Sequence, residues 1–517
     1  METDVFPAGR ARVRETCAGS DCGGTMMTAC FTKRTLAAVC GLLLMAAQDV
    51  GANGLLVTNV TVSKRNETTA YVTFDIAWQN SWRFTNINHD AAWVFFKARQ
   101  EGQSEWHRVL LEGTGVNPQD YSNGVGTAVD LIVPSDRMGL FVRRAAQGSG
   151  ALAVTNIQAV WNIASANVTK TFLIQIRALA AEMVYVAEGA FKVGSGGTEV
   201  GSFTDGSWTN GVTIPFRIAS EDALTVSNAA GCLWGTVSGS TKSTIGDKGT
   251  LPAAFPKGYA AFYCMKEEAT QGQYADFLNT LTVAQLANRY SSTAWNRYTI
   301  SVSNGVYSAS VPDRVCNGLC YGDAAAFLDW AGLRPYTELE FEKACRGPLD
   351  PIANEYPWGT TAIGGTTGVN NDGTGLDTAA SGNCNCNSGS HSVYGPYRAG
   401  IYATASSTRE AAGASYWGIL GLAGSLWEYV VAVDSSTGRA FSGLHGDGNL
   451  TAAGYADVAD WPGANGVGIG FRGGSYQDGT TCARVSDRNW CGGYSDGTRN
   501  SLCCCRGVRT APAGVLP

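Results

Sequence analysis

The sequence predicts an all-β sandwich followed by a larger α+β domain, and three observations carry that expectation. Residues 55–181 read as short strands punctuated by Asn, Gly and Ser, whereas capped helical stretches occur only after residue 270. With 517 residues the chain exceeds one core, since single domains mostly run to ~100–200 residues. Its 65 glycines favour turns and irregular connections over long helices. The expected units are an N-terminal extension with signal (1–52), a β-sandwich (53–181) and a second domain (182–517).

In chain order, residues 56–62, 70–78, 92–98, 128–133, 153–163 and 171–179 are rich in Val, Ile, Phe, Trp and Thr with partial alternation, as half-buried strands require. His89, Asp90 and His107 are scattered among them without catalytic spacing, so spacing or docking is the expected role. The tryptophans Trp82 and Trp93 beside them invite a sugar- or partner-binding reading against ordinary packing. From Met183 to Gly194 the text predicts a strand, a turn and a strand. Thr270 can cap a helix carrying Tyr274, Phe277, Leu278 and Leu281 on one face, and Asp323 can cap another with Ala324, Phe327 and Leu328 inward. Thr337-x-x-Glu340 is a capping box, and Gly347 stands where that helix should stop. Residues 350–416 are Gly/Asn/Thr-rich without period, and so long a loop in a compact domain is usually functional or metal-stabilised.

Composition narrows the partners. A net charge of −6 and the lack of any Lys/Arg block give no electrostatic footprint for phosphate, so nucleic acid is not expected. Lys33-Arg34, the apolar run 36–47 and the small residues Val50-Gly51-Ala52 follow the order of a secretory signal, with the mature chain starting near Asn53. Twelve apolar residues are too few to cross a bilayer core of ~30 Å. The expected location is therefore outside the cell or on its surface, by free secretion or by attachment to the envelope. Four of the sixteen cysteines (Cys17, Cys22, Cys30, Cys40) leave with the signal; the other twelve are expected as disulfides or free thiols, with no connectivity readable. Cys316-x3-Cys320 and Cys384-x-Cys386 lack the paired spacing of a zinc site.

The landmarks MVYVAEGAFKVG, FYCMKEEATQGQYADFLNTL, CYGDAAAFLDWAGLRPYTELEFEKACRG, YPWG (356–359), GILGLAGSLWEY (418–429) and RGGSY (472–476) with a closing Gly507-Val508-Arg509 resemble the formylglycine-generating enzyme or sulfatase-modifying-factor domain, in its order, over about residues 183–512. The resemblance implies a C-type-lectin-like fold. It also implies a copper-dependent oxidase that turns a cysteine of a sulfatase-type substrate into formylglycine, using two cysteines soon after the GGSY element. This chain has only Cys482 there, so the second thiol that copper(I) needs is lacking. A structural calcium ion is implied at Gly424 and Leu426 through their carbonyls and at Glu428 through its carboxylate. Gly421 replaces the expected Asn/Asp, which should weaken calcium binding. The histidines His89, His107, His391 and His445 have no paired spacing, which sets aside the iron chemistry of a related group.

Segment 472–509 resembles more closely the variable region of diversity-generating-retroelement target proteins, whose lectin-like domain ends in a hypervariable binding face. In that system template AAC codons become NNC codons; most residues of the segment are reachable so, whereas Gln477 and Trp490 are not. The run Cys503-Cys504-Cys505 suits random draws better than a disulfide framework. Tyr476, Asp478, Gly479, Thr481, Cys482, Ser486, Asp487, Asn489, Trp490, Cys491 and Tyr494 are the expected ligand-binding residues, held in a frame of residues 472–475, Arg484, Val485, Arg488 and residues 507–509. The expected function is a non-catalytic bacterial binding protein for a protein or cell-surface ligand; the alternatives are the copper oxidase and an envelope protein that binds through its sandwich.

Overall fold

The computed structural model describes residues 54–166, 174–209, 212–236, 245, 247–387, 393–491 and 497–513, and the short strand Ala11–Arg12. The expected signal and its four cysteines lie outside the described residues. Two antiparallel sets of strands open the fold, joined through the Arg83↔His89 pairing into one continuous sheet. Strand β1 (Leu56–Lys64), β2 (Thr69–Thr85) and β6 (Gly148–Asn162) make the first; β3 (Asn88–Gln100), β4 (Val129–Val133), β5 (Gly139–Arg144) and β7 (Ile174–Val186) make the second. Alternate residues Val72, Phe74, Ile76 and Trp78 of β2 meet Ala92, Val94, Phe96 and Ala98 of β3 in one apolar cluster, as a period of two dictates.

The other face of β3 is buried as well. Ala91, Trp93 and Phe95 join the larger core of the C-terminal region, so β3 is covered on both sides and reads as an almost unbroken apolar run. Strand β7 pairs with β3 as far as Val184↔Asp90, then with β8 (Phe262–Met265) from Met183↔Met265, and the sequence-based boundary at 181/182 falls inside it. Polar contacts reinforce the junction: Trp93 Nε1 donates to Ala331 O at 2.8 Å, Lys97 Nζ to Gly448 O at 2.6 Å, and Arg509 stacks over Trp93 while pairing with Asp136. Trp93 is therefore a packing residue with no surface for a sugar. Trp82 is half-buried, its indole donating to Asn88 and its ring facing Lys266 at 4.9 Å.

Three helices form where the sequence places them. Helix α1 (Gln271–Leu278) has Thr270 and Gln273 as a capping box. A second short helix, α2 (Val283–Arg289), has no counterpart in the sequence reading, although Thr282 and Gln285 repeat the same box. Helix α3 (Tyr321–Trp330) starts at Cys320, which corrects the expected cap: Asp323 is three residues inside, where its carboxylate accepts from Cys320 N at 3.1 Å. Helix α4 (Glu338–Arg346) has the expected box, Thr337 with Glu340, and ends at Gly347 with φ +68°. Among its described residues the loop over 350–416 carries turns, bends, isolated bridges and a short hairpin at Val369–Asn370 and Thr378–Ala379.

A small sheet positions the closing segment. Strand β9 (Trp427–Val431) lies between β10 (Ile469–Arg472), antiparallel, and β11 (Cys503–Cys504), parallel. The chain then ends in β12 (Gly507–Thr510), paired with β8. With 11% of residues helical, the molecule is mostly β, and its helical share is smaller than the α+β expectation implies. Among the described residues no helix is long and apolar enough to cross a membrane.

Candidate functional site

Helix α4 and the closing segment are joined by buried charge. Residues four apart lie above one another on a helix, so Glu338, Glu342 and Arg346 share one face. Arg472, the last residue of β10, sends Nη2 to Glu342 Oε1 and to Val485 O, both at 2.7 Å, and faces Glu338 at 3.4 Å. Arg488 clamps Glu338 with two bonds of 2.7 and 3.0 Å and reaches Gly201 O at 2.9 Å. Ser486 Oγ accepts from Arg346 Nη2 at 2.9 Å and donates to Glu342 Oε2 at 3.0 Å. Burial pushes the Glu338 carboxyl up, but the Arg488 and Arg472 guanidiniums more than offset it and hold the group below its ordinary range. Every charge in this network is removed from solvent, so deleting one member strands its partner at a cost of about 3–5 kcal/mol.

Between those anchors the chain surfaces. Gln477, Gly479 and Thr481 are exposed, and Asp478, Thr480, Cys482, Asn489 and Trp490 are half-buried. Asp478 closes the turn by accepting from Ser475 N at 3.1 Å and from the Ser475 hydroxyl, and a 3-10 turn over Thr480–Ala483 follows. Arg484 Nη1 donates to Asn354 Oδ1 at 3.0 Å, and Val485 N to Glu355 O at 3.0 Å, which fixes the far end of this loop.

Four of the expected contact residues belong instead to the frame. Tyr476 is fully buried, its hydroxyl accepting from Asn296 Nδ2 at 3.1 Å. Ser486 is the buried hinge of the charge network. Asp487 is 3% exposed, and burial pushes its carboxyl up to about 6. Cys491 is fully buried, its thiol donating to Phe471 O at 3.0 Å, and it lies so close to Gly470 that a Cβ there would sit 2.6 Å from its Cα. Tyr494 lies outside the described residues. Cys503, Cys504 and Cys505 are core residues of β11 and its exit. Among the described residues the twelve cysteines form no disulfide with one another.

The sulfatase-modifying factor enzyme 1-like domain matches residues 172–508, from just before β7 to the second residue of β12. The chain belongs to this family. Treponema denticola variable protein 1 is among the solved structures that match, with 13% identity and a TM-score of 0.31, covering 64% of this chain and 96% of that one. No curated protein sequence matches the chain. Membership in the sulfatase-modifying-factor family gives the fold as lectin-like, with little regular structure around a small central sheet.

The family's metals can be tested against the residues present. Copper needs two thiols after GGSY, and the loop 477–483 offers Cys482 alone; burial, then Asp487 and Asp478, push that thiol up to about 12, far from a thiolate at neutral pH. These residues do not fit copper. A different thiol pair, Cys384 and Cys386, packs with Ala483 in a small apolar cluster; their mutual hydrogen bond raises Cys384 well above the usual thiol range and lowers Cys386. Sequence reading passed over this pair because two thiols at C-x-C spacing carry no metal signature of their own.

Calcium fits no better. Glu428 is buried with both oxygens engaged: Arg506 Nε donates to Oε2 at 2.7 Å, Arg506 Nη2 to Oε1 at 2.9 Å, and the Tyr336 hydroxyl also donates to Oε2. Gly424 and Leu426 are in place on the approach to β9, both buried, yet the carboxylate meant to complete their set already holds a cation. Among the described residues one group of three carboxylates, Asp329, Asp447 and Asp457, comes together elsewhere; Asp329 there accepts the backbone N–H groups of Asp447 and Asp457 and ties two loops. His89 is stacked on Tyr185 and pushed down to about 3 by burial, and His445 accepts from Thr510 N, so neither resembles a ligand pair.

Proposed function

We propose that the chain is a secreted or surface-displayed, non-catalytic binding protein whose lectin-like domain presents an interchangeable face to a protein or cell-surface ligand. The supporting observation is the division of segment 472–491 between buried, charge-locked frame residues and surface side chains. The face is narrower than the sequence implies: of the expected residues Asp478, Gly479, Thr481, Cys482, Asn489 and Trp490 belong to it, with Gln477 exposed beside them, and Gln477 and Trp490, unreachable from AAC codons, are its fixed positions. A stiff, irregular backbone under small polar and aromatic groups gives adaptable hydrogen bonding with little ordering cost on binding, as antibody paratopes do. Side chains there can change without disturbing Glu338 or Glu342, which is the property a retroelement target needs.

Sequencing the DNA around the gene tests the hypervariable reading. A near-identical repeat of the segment's coding sequence, differing at adenines and accompanied by a reverse transcriptase, is the expected result; a locus with neither overturns it. The non-catalytic part is tested by loading the purified chain with copper(I) and offering a cysteine-bearing sulfatase-type peptide. No aldehyde is expected, and copper-dependent aldehyde formation would contradict the proposal.

A further inference from the structure

Three features of the structure converge beside β9. Arg506, buried, makes a fan of bonds to oxygen: Glu428 through Nε and Nη2, Met265 O through Nη1 at 2.8 Å and Leu420 O through Nη2 at 2.8 Å, with Glu268 Oε2 facing it as an ion pair at 3.3 Å. Two carboxylates and two backbone carbonyls around one positive centre form a hard-oxygen cage of the sort that otherwise surrounds a divalent cation. Glu268 is the second feature. Its Oε2 lies 2.1 Å from where a Cβ on residue 421 would stand, so any side chain there would have to push the Glu268 carboxyl aside, and Gly421 in addition has φ +76°, which favours glycine. The side chain that the family's calcium element carries at that position would compete for the space that the Glu268 carboxyl occupies facing Arg506. Third, Glu428, the one charged ligand retained from that element, is turned to the guanidinium.

We infer that the Arg506 guanidinium is a built-in cation that takes over the structural work of a metal ion in this chain, with Glu268 and Gly421 as its accommodating changes. A planar guanidinium with five fixed donors can satisfy both oxygens of Glu428 and both carbonyls at once while facing Glu268, which an ammonium cannot. The lectin-like domain is then independent of calcium. Removing the guanidinium alone leaves a cavity rimmed by oxygen, which a hard cation can enter.

The experiment uses the full chain. Wild-type protein is dialysed against a chelator, and its melting temperature and calcium binding are measured with and without millimolar calcium. The expected result is an unchanged melting temperature and no saturable binding; a chelator-induced fall, or binding abolished by Glu428→Gln, overturns the inference. Arg506→Ala is then expected to melt roughly 10 °C lower, and to gain a saturable calcium response or recovery with methylguanidinium that wild type lacks. Arg506→Ala as stable as wild type in chelator would also overturn it. Should Arg506→Ala not fold, Arg506→Lys, which keeps the charge without the fork, is expected to melt between the two limits, and wild-type stability in that variant would contradict the role of the guanidinium.

Discussion

Between Arg472 and Arg509 two sets of residues share one stretch of chain, and the comparison between them explains what the segment is for. Arg472, Ser486, Arg488 and Arg506 are buried, each bonded to a carboxylate of α4 or β9. Gln477, Gly479 and Thr481 protrude from a turn that Ser475 and Asp478 close among themselves. The first set is immobilised by the energetic penalty of an unpaired buried charge, and the second is under no such constraint. Identity is thus enforced by burial and electrostatics at the frame positions, and the exposed residues 477, 479 and 481 are left open.

Several substitutions would break or sharpen that contrast. Arg488→Met strands Glu338 and should cost about 3–5 kcal/mol in denaturant unfolding. Ser486→Ala removes two charge-assisted bonds and should cost about 2 kcal/mol; a negligible change would return Ser486 to the binding face. Asp487 gives a pH signature. Burial raises its carboxyl to about 6 from roughly 3.9 in an unfolded chain, so the protonated form stabilises the fold. That contribution is complete below about pH 4 and is lost as pH rises through 6; Asp487→Asn should reduce the stability difference between pH 4 and pH 7 by about 1–2 kcal/mol. Smallest of all, Gln477→Ala and Thr481→Ala should stay within about 0.5 kcal/mol of wild type.

The same contrast governs what could be read from the sequence. The cap at Thr270 and the box at Thr337 were legible because capping is local chemistry, satisfied within four residues. The start of α3 was not, since Cys320 is a poor capping residue and Asp323 does the work from inside the helix. The strands of the first layers were visible through their alternation, but the double burial of β3 depends on a surface contributed by residues more than two hundred positions later, such as Ala331. In the closing segment the frame's arginines stood out, whereas Tyr476, Ser486, Asp487 and Cys491 looked like surface because irregular backbone has no period to mark which way a side chain faces. Arg506 was passed over for a related reason: its role exists only once Glu268, Leu420 and Glu428 have been brought around it.

The most direct measurement is saturation mutagenesis of residues 472–491 with folding read out by protease resistance on a displayed full chain. The account predicts broad tolerance at 477, 479, 481, 489 and 490, and strict intolerance at 472, 476, 486, 488 and 491. Equal tolerance across the two sets, or intolerance concentrated at the exposed positions, would contradict a buried frame carrying interchangeable contents.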